Sequence, residues 1–411
     1  MKIVVVGGGS AGWITASYLK NNLNCDITVI HSKINQTIGV GEGTTPTINN
    51  VMSHVEDWES SCNAVKKYGV LFENFYKQDS QWWHIFEDAF FKNGKDSVEE
   101  ILKTSCNSYH FNAYHGDMIN YAFNQDHSFV PVKSPGYGYH VQAEKLGDVL
   151  KESMSEYTLI EEDVKDVIIN DEGIDYLLLE NNKKIKADYF FDCTGFKRVL
   201  IDKLTEFQPY DDMIADSFIV GQLKQRKNRP YTLSSAKKHG WQWEIDTQDR
   251  TNSGYVFCSS ITSEEDARIE SGLDGDLRKF SSGRMKHLAI KNVIPNGLAQ
   301  SFIEPLEATS IMMTIVTVEK FVETIKRNYN ISTFDKIMKK FLSHTKKFVK
   351  FHYTLSKRQD SEWWLYWSNQ NDDINSFFAD SLKNKRYCKP NETLLNHFNI
   401  ASMMVGYECF N

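Results

Sequence analysis

The sequence predicts an α/β fold in which a Rossmann-like dinucleotide-binding module is interwoven with a mostly helical second module. An apolar, β-branched run at residues 3–6 is followed by glycines in the GxGxxG spacing and then by helix-forming residues through Leu19. In such a unit the glycines permit a tight turn, close approach of a pyrophosphate and packing of the helix on the strand. The predicted pyrophosphate contacts are Gly7, Gly9, Ser10, Ala11 and Gly12.

Two later segments favour FAD over a nicotinamide cofactor. Residues 37–46, TIGVGEGTTP, form a second Gly-rich loop, and residues 187–196, ADYFFDCTGF, read as an apolar strand ending in Asp-x-x-Gly. Large FAD folds of the glutathione-reductase or hydroxylase type use such a late strand to bring a second loop to the cofactor. A core strand followed by an ordinary turn is the alternative. The FAD contacts predicted from these segments are Gly39, Gly41, Glu42, Thr44, Asp192 and Gly195.

The residue at the predicted ribose-binding position is less typical of a dinucleotide-binding fold, and the source of electrons must also be considered. The strand Asp26–Ile30 is followed by His31 rather than by an acidic residue, which weakens the predicted grip on the ribose. The sequence has no second GxGxxG for NADPH, so we expect a separate flavin reductase to supply FADH2.

Composition limits the partners and the compartment. The 411 residues are 41% hydrophobic and 13% aromatic, which is typical of a globular chain. A net charge of -7 with interspersed signs argues against nucleic acid and membrane partners. The seven scattered cysteines form no CxxC pair, so we expect no metal site and a cytoplasmic protein, or host-cytoplasmic if viral. The predicted first strand leaves no room for a targeting peptide, and homo-oligomerisation is left open.

Along most of the chain the motifs resemble, in order, those of flavin-dependent halogenases of the tryptophan-halogenase type. The resemblance runs from residue 3 to about residue 365, in a chain shorter than typical tryptophan halogenases, as in a viral or marine homologue. It implies that FADH2, O2 and a halide (chloride, bromide or iodide) yield hypohalous acid, HOX, which halogenates an aromatic substrate. The matching segments are Gly7–Trp13, Gly39–Pro46, Lys67–Gly69, Tyr139–Leu150, Asp192–Phe196, Gly240–Ile245, Phe302–Ile311 and His352–Trp364.

Two motifs depart from the family pattern. The WxWxIP sequence is present as Trp241, Trp243 and Ile245, but Asp246 replaces the proline. Aromatic residues alternating on a buried strand would explain this motif equally well. In the second motif, FxxPxxSxG, Phe302 and Pro305 are kept as predicted FAD contacts, and Ala308 and Ser310 replace the last two residues. Both replacements are small, so a site made by backbone groups is compatible with them.

The resemblance implies two catalytic residues, Lys67 and Glu307. Lys67 of the K-x-G segment would form a haloamine or hold HOX by a hydrogen bond, although a lysine in a helix is normally a surface residue. Lys66 is expected to be solvated. Glu307 of PLEA would polarise the electrophile or accept the arenium proton, or as an alternative complement a helix dipole. Glu304 is the nearby structural carboxylate.

The halide and the aromatic substrate are assigned to neighbouring segments. A helix is expected to begin near Thr309 and Ser310, whose backbone N–H groups would bind the halide. The resemblance also points to Trp82, His84 and Phe86 of QWWHIF as substrate contacts that stack on an electron-rich ring. The alternative is that this segment belongs to the core.

The predicted FAD-binding module comprises residues 1–80, 145–207 and 255–345, and the substrate module comprises residues 81–144, 208–254 and 346–411. The leading function is FAD-dependent halogenation of an indole or a phenol-like compound. An FAD-dependent aromatic monooxygenase (hydroxylase) is the alternative, in which Lys67 and Glu307 would be dispensable. A flavin-binding protein without catalytic activity is the third hypothesis.

Overall fold

The computed structural model describes residues 1–32, 42–86, 136–227, 229–370, 403–404 and 406–407. Two of the predicted FAD contacts, Gly39 and Gly41, lie outside the described residues. The described part is a mixed α/β structure in which one parallel sheet, one large mixed sheet and three small sheets are joined by helices.

The strands are β1 Lys2–Val6, β2 Asp26–His31, β3 Glu42–Gly43, β4 Val65–Lys67, β5 Gly69–Glu73, β6 Gln81–Ile85, β7 Gly138–Val141, β8 Thr158–Glu161, β9 Val164–Asn170, β10 Gly173–Leu179, β11 Lys184–Ile185, β12 Tyr189–Asp192, β13 Phe207–Pro209, β14 Ser217–Gln222, β15 Thr232–Ala236, β16 Gly240–Asp246, β17 Thr251–Phe257, β18 Leu277–Lys279, β19 Gly283–Met285, β20 Val293–Pro295 and β21 Ser301–Phe302. The α-helices are α1 Ser10–Asn22, α2 Asn49–Met52, α3 Trp58–Ser61, α4 Ala143–Ser153, α5 Glu264–Ser271, α6 Thr309–Lys326, α7 Ile331–Thr354 and α8 Glu362–Ser368.

A five-stranded parallel sheet forms the predicted dinucleotide-binding core. Its strand order is β20-β12-β1-β2-β8, and every neighbouring pair is parallel. The register aligns Val6 of β1 with Asp192 of β12, and Asp192 with Pro295 of β20. The carboxyl ends of three strands therefore meet at one edge, where ligands bind in open parallel sheets. This confirms the predicted α/β fold.

A seven-stranded sheet occupies a region for which the sequence predicts mostly helices. Its order is β18-β14-β17-β16-β15-β5-β6, and only β15 and β5 pair in parallel. Strands β14, β15 and β16 all come from residues 208–254, which belong to the predicted, mostly helical substrate module. Their aromatic and β-branched residues favour a pleated sheet. The sheet also joins β5 to β6, so it crosses the predicted module boundaries.

A small antiparallel sheet and two long helices complete the region around the site. The sheet has the order β3-β7-β4 and places Lys67 opposite Gly138. Helix α6 begins beside β21, and α7 follows it after a short turn. Among the described residues, no helix has both the length and the apolar character needed to cross a bilayer.

Candidate active site

The glycine turn between β1 and α1 is closely packed at two glycines and open at a third. Gly7 has φ +121°, and a Cβ there would lie 2.2 Å from the Cys193 carbonyl oxygen. A Cβ on Gly12 would lie 1.9 Å from the carbonyl oxygen of Gly7. A Cβ on Gly9, in contrast, would meet nothing within 4 Å. A side chain at Gly7 or Gly12 would thus clash with the protein backbone, whereas a side chain at Gly9 would face open space.

The N-terminus of α1 is free to bind an anion. Gly9 is its N-cap residue, no side chain caps it, and its first turn carries no acidic residue. The Ser10 hydroxyl donates to the Ala143 carbonyl over 3.0 Å, which ties this turn to α4. Unpaired N–H groups at such a terminus attract phosphate. The predicted roles of Gly9, Ser10 and Ala11 remain predictions that this geometry fits.

Two later loops lie against the same turn. A Cβ on Gly297 would lie 2.6 Å from the Ala11 Cβ, so the loop after β20 touches the start of α1. The carboxylate of Asp192 accepts hydrogen bonds from the backbone N–H groups of Thr194, Leu200 and Ile201 at 2.8 to 3.0 Å. Asp192 is buried and shapes the loop. Gly195 has φ +64°, and a Cβ placed on it would meet nothing within 4 Å, so this position is an open point of the loop.

The remaining predicted cofactor residues flank this edge of the sheet. The Thr44 side chain accepts from the Tyr139 N–H at 2.7 Å and so joins β3 to β7. Burial and the nearby Glu144 raise the pKa of Glu42 to about 7. Phe302 contacts Phe196 edge-on at 6.0 Å, and Pro305 precedes the turn at residues 306–308. The open points at Gly9 and Gly195 fit an extended dinucleotide such as FAD.

Lys67 is a buried strand residue rather than the helical surface lysine that its sequence alone indicates. It ends β4, and only 1% of it is exposed. Burial lowers the pKa of Lys67 to about 8, although the Glu307 charge opposes this shift. Its Nζ lies 4.9 Å from the centre of the Phe86 ring and 3.0 Å from the position of a Cβ on Gly43. Lys67 thus has the environment of a reactive amine.

Lys66 is a partly exposed neighbour with a different environment. Its Nζ lies 5.0 Å from the centre of the Tyr137 ring, and the side chain is half-buried. Successive strand residues point to opposite faces of a sheet, which separates the two lysines. Lys66 is therefore a matched control for Lys67.

Glu307 is held by two histidines in a backbone conformation that is rare for glutamate. It has φ +67° in the turn before α6 and is buried. His84 Nδ1 lies 2.8 and 2.9 Å from its two carboxylate oxygens, and His352 Nε2 lies 2.8 Å from Oε1. Burial opposes ionisation, but His84 and His352 outweigh it and hold the Glu307 pKa well below its usual range. Such a left-handed conformation is costly and clusters at functional sites.

The predicted halide segment coincides with a helix start. Helix α6 begins at Thr309, its N-cap residue Ala308 has φ +54°, and no side chain caps it. Its first turn contains no acidic residue. These features are compatible with anion binding by the N–H groups of Thr309 and Ser310, which remains a prediction.

Trp82, His84 and Phe86 separate into three different environments. Trp82 is 1% exposed; its ring stacks on Phe72 at 4.5 Å, and a Cβ on Gly406 would lie 2.4 Å from it. Trp82 is thus packed against Phe72 and Gly406, as the core alternative requires, and its contact with a substrate remains a prediction. Phe86 faces the Lys67 amine, and His84 binds Glu307. The His84 Nε2 is buried without a partner among the described residues.

Comparison with known proteins decides the family. A sequence profile for the tryptophan halogenase family matches residues 2–410. The chain belongs to the tryptophan halogenase family. Among its relatives, tryptophan 6-halogenase SttH of Streptomyces toxytricini is 26% identical over 422 residues, covering 88% of this chain and 80% of SttH. Tryptophan 7-halogenase RebH of Lentzea aerocolonigenes is 27% identical over 415 residues, covering 88% and 78%.

Solved structures agree with this assignment. Tar14, a tryptophan C-6 flavin-dependent chlorinase from taromycin biosynthesis, has a TM-score of 0.83 and 25% identity, covering 99% of this chain and 90% of Tar14. This tryptophan halogenase family member is therefore a flavin-dependent halogenase that uses FADH2, a halide and a separate flavin reductase. The alternative hydroxylase is not favoured.

In this halogenase, the aspartate that replaces the proline of WxWxIP anchors a loop beside Lys67. The Asp246 carboxylate accepts from the backbone N–H groups of Lys227 and Arg229, each at 3.1 Å. Its carbonyl accepts from His140 Nδ1 at 3.1 Å, and His140 Nε2 then accepts from the Thr232 hydroxyl at 2.8 Å. Trp241 and Trp243 are buried in β16, as the packing interpretation of this motif requires.

Two residues of this site were not identified from the sequence. His352 belongs to the matching segment HYTLSKRQDSEWW, but no local pattern marks it as a partner of Glu307, which lies 45 residues away in the sequence. Glu304 was assigned a structural role, but it is buried with its Oε2 unpartnered among the described residues. Burial raises the Glu304 pKa to about 8, although the hydrogen bond from the Tyr353 hydroxyl opposes this shift. Only folding brings these groups together.

Proposed function

We propose that this halogenase relays HOX through Lys67 to an electron-rich aromatic substrate, an indole or a phenol-like compound. One observation carries the proposal. The Lys67 amine is buried, has a pKa lowered to about 8, and lies close enough to Glu307 for that charge to oppose the shift. A buried amine beside a carboxylate can receive a halogen and present it in a fixed direction.

Each residue has a defined task in this proposal. When bound, reduced FAD together with O2 supplies the oxidation that converts halide to HOX. The open N-terminus of α1 and Gly195 bind the cofactor, and the start of α6 at Thr309 and Ser310 binds the halide. Phe86, whose ring faces the Lys67 amine, positions the substrate ring with His84. Glu307 orients the electrophile.

The substrate proposal follows the chemistry of the site and the names of the relatives. SttH and RebH are tryptophan 6- and 7-halogenases. Indoles and phenols are the aromatic rings that react with weak halogen electrophiles. The reductase is proposed to deliver FADH2 by diffusion, since the described residues bear no second nucleotide-binding turn. The four described free cysteines support a reducing, cytoplasmic setting.

The proposal is tested by mass spectrometry of products. Purified protein is incubated with FAD, a flavin reductase, NADH and air, with chloride, bromide or iodide and a panel of indoles and phenols. Catalase excludes chemistry of free peroxide. We expect a halogenated product that is lost in Lys67→Ala and kept in Lys66→Ala. Equal losses in the two variants would contradict the assignment of Lys67.

Glu307→Gln gives an independent test. It removes the carboxylate charge but keeps the shape of the side chain. We therefore expect the rate of halogenation to fall by up to about 10²-fold, with the protein still folded. Product formation and the far-UV circular dichroism spectrum are measured together. Failure to obtain folded protein would instead assign Glu307 a structural role.

A further inference from the structure

Hydrogen-bond geometry fixes where one proton lies in the candidate active site. His352 Nδ1 lies 3.0 Å from the Phe348 carbonyl oxygen, and His352 Nε2 lies 2.8 Å from Glu307 Oε1. A carbonyl oxygen can only accept, so Nδ1 carries a hydrogen. A neutral ring would then face the Glu307 carboxylate with a lone pair, and two acceptors do not form a 2.8 Å contact. One further proton must therefore lie between His352 and Glu307.

We propose that this proton resides on His352, so that a buried imidazolium holds Glu307 as an oriented carboxylate in the halogenation reaction. His352 is thus a positioning residue that acts through Glu307. The inference rests on the proposed function only in its assignment of Glu307 as the catalytic carboxylate.

The surroundings of His352 favour a cation. Its ring centre lies 4.7 Å from Phe72, 5.7 Å from Trp82 and 5.2 Å from Phe348. Aromatic rings stabilise a cation enclosed among them. A fourth aromatic ring, that of Tyr407, lies at 6.4 Å, and the Tyr407 hydroxyl donates a hydrogen bond to the His352 carbonyl oxygen. If the proton lay on Glu307 instead, these aromatic rings would surround a neutral imidazole, and their stabilisation of a cation would be lost.

The other groups that face the pair also favour the ionised form of Glu307. His84 on β6 needs only its Nδ1–H to donate to the carboxylate, so this contact requires no second proton on the His84 ring. Lys67 on β4 adds positive charge whenever its amine is protonated. Glu307 consequently faces donors from β6 and α7 together with the charge of Lys67 on β4, and its affinity for a further proton is low.

This arrangement decides between the two roles open to Glu307. In transfer from a Lys67 haloamine, the N–X bond breaks, the C–X bond forms, and the ring proton replaces the halogen on nitrogen. Atoms and charge balance without a proton retained by Glu307. Glu307 therefore polarises and orients the electrophile, and His352 preserves the charge that does so.

Nuclear magnetic resonance of protein labelled with ¹⁵N-histidine tests the proton position without requiring turnover. At pH 7 we expect both His352 nitrogens in the protonated range, with the exposed His54 as an internal reference. In Glu307→Gln we expect the neutral ring with hydrogen on Nδ1 alone. His352→Gln identifies the signals, and Tyr407→Phe, which perturbs the same ring, replaces it if His352→Gln does not fold. An unprotonated Nε2 in the wild-type protein would overturn the proposal.

The pH profile of kcat separates this role from simple packing. His352→Gln keeps a neutral N–H donor but removes the charge, so we expect kcat to fall roughly 10- to 100-fold with little change in KM. The ionisation of Lys67 governs kcat around pH 8. The separate acid limb that protonation of Glu307 causes at lower pH should move to higher pH, because Glu307 then binds a proton more readily. A lower yield of folded protein with an unmoved acid limb would overturn the proposal. If no aromatic substrate is halogenated, the proposed function fails, and the NMR result still decides the proton position.

Discussion

Burial makes the chemistry of Lys67 depend on pH in the physiological range. With its pKa lowered to about 8 by burial, the amine is mostly protonated at pH 7 and mostly neutral at pH 9. Only the neutral amine can form a haloamine, whereas an ammonium group holds HOX by donating a hydrogen bond. The two mechanisms that the sequence left open therefore predict opposite pH profiles.

We expect the haloamine route, in which kcat rises roughly tenfold between pH 7 and pH 9 as the neutral fraction grows. Stopped-flow measurement with chemically reduced FAD avoids any pH dependence of the reductase. Lys66→Ala, whose lysine lies on the opposite strand face, should keep the same profile. A kcat that falls over this range would favour the hydrogen-bonded HOX mechanism instead.

Glu304 predicts a second pH dependence, in stability rather than rate. Its pKa is raised to about 8 by burial, above the roughly 4.3 of an unfolded glutamate. The folded state therefore binds more protons between these values, and its free energy of unfolding falls as pH rises from about 4.3 through 8. We expect Glu304→Gln, which cannot ionise, to remove this decline. Its free energy of unfolding relative to wild type should therefore rise by on the order of a few kcal/mol between pH 5 and pH 8.

Urea unfolding of wild type and Glu304→Gln at pH 5 and pH 8 measures the difference. Glu206→Gln is the matched control, because the hydrogen bond from Lys286 lowers the pKa of the exposed Glu206 carboxyl. Its contribution to stability is present above the unfolded pKa and is lost only as pH falls below it. A constant difference between wild type and Glu304→Gln at both pH values would contradict the buried acid.

At the scale of elements, the turn between β1 and α1 separates cofactor binding from folding. A Cβ on Gly9 meets nothing within 4 Å, whereas one on Gly12 would lie 1.9 Å from the Gly7 carbonyl oxygen. We expect Gly9→Ala to fold normally but to bind FAD about tenfold more weakly or worse, because the methyl group occupies the path of the pyrophosphate. Gly12→Ala should lower stability by several kcal/mol, because backbone atoms must move.

Fluorescence titration with FAD and thermal unfolding together distinguish these outcomes. Gly9→Ala should show a normal melting temperature without FAD and a smaller increase on adding it. Unchanged FAD affinity in Gly9→Ala would show that the pyrophosphate does not pass this turn.

At the scale of the whole molecule, the seven-stranded sheet ties the predicted modules together. Strand β5 from residues 1–80 pairs with β6 from residues 81–144 and with β15 from residues 208–254. Backbone hydrogen bonds therefore continue across the boundaries that the sequence suggested. We expect the apoprotein to unfold in one calorimetric transition, and FAD at 100 times its Kd to add about 2.7 kcal/mol. Two separate transitions, only one of them responsive to FAD, would support independent modules.

The sequence by itself determined the features that depend on local pattern. An apolar β-branched run, glycines at fixed spacing and a helix start near Thr309 are set by backbone sterics and neighbouring residues, so β1, the α1 turn and α6 were predictable. The family resemblance added Lys67 and Glu307, but it gave no environment for either. It also gave no sheet for residues 208–254.

Only the tertiary structure decided which side chains meet. His84 and Glu307 are 223 residues apart in sequence, and His352 reaches the same carboxylate from α7. Trp82, a predicted substrate contact, stacks on Phe72 in the core. Burial, charge pairing and proton position depend on contacts between distant segments, which no local pattern encodes. The sequence thus specifies the strands, turns and helices of this halogenase, and their packing specifies the chemistry of its lysine and glutamate.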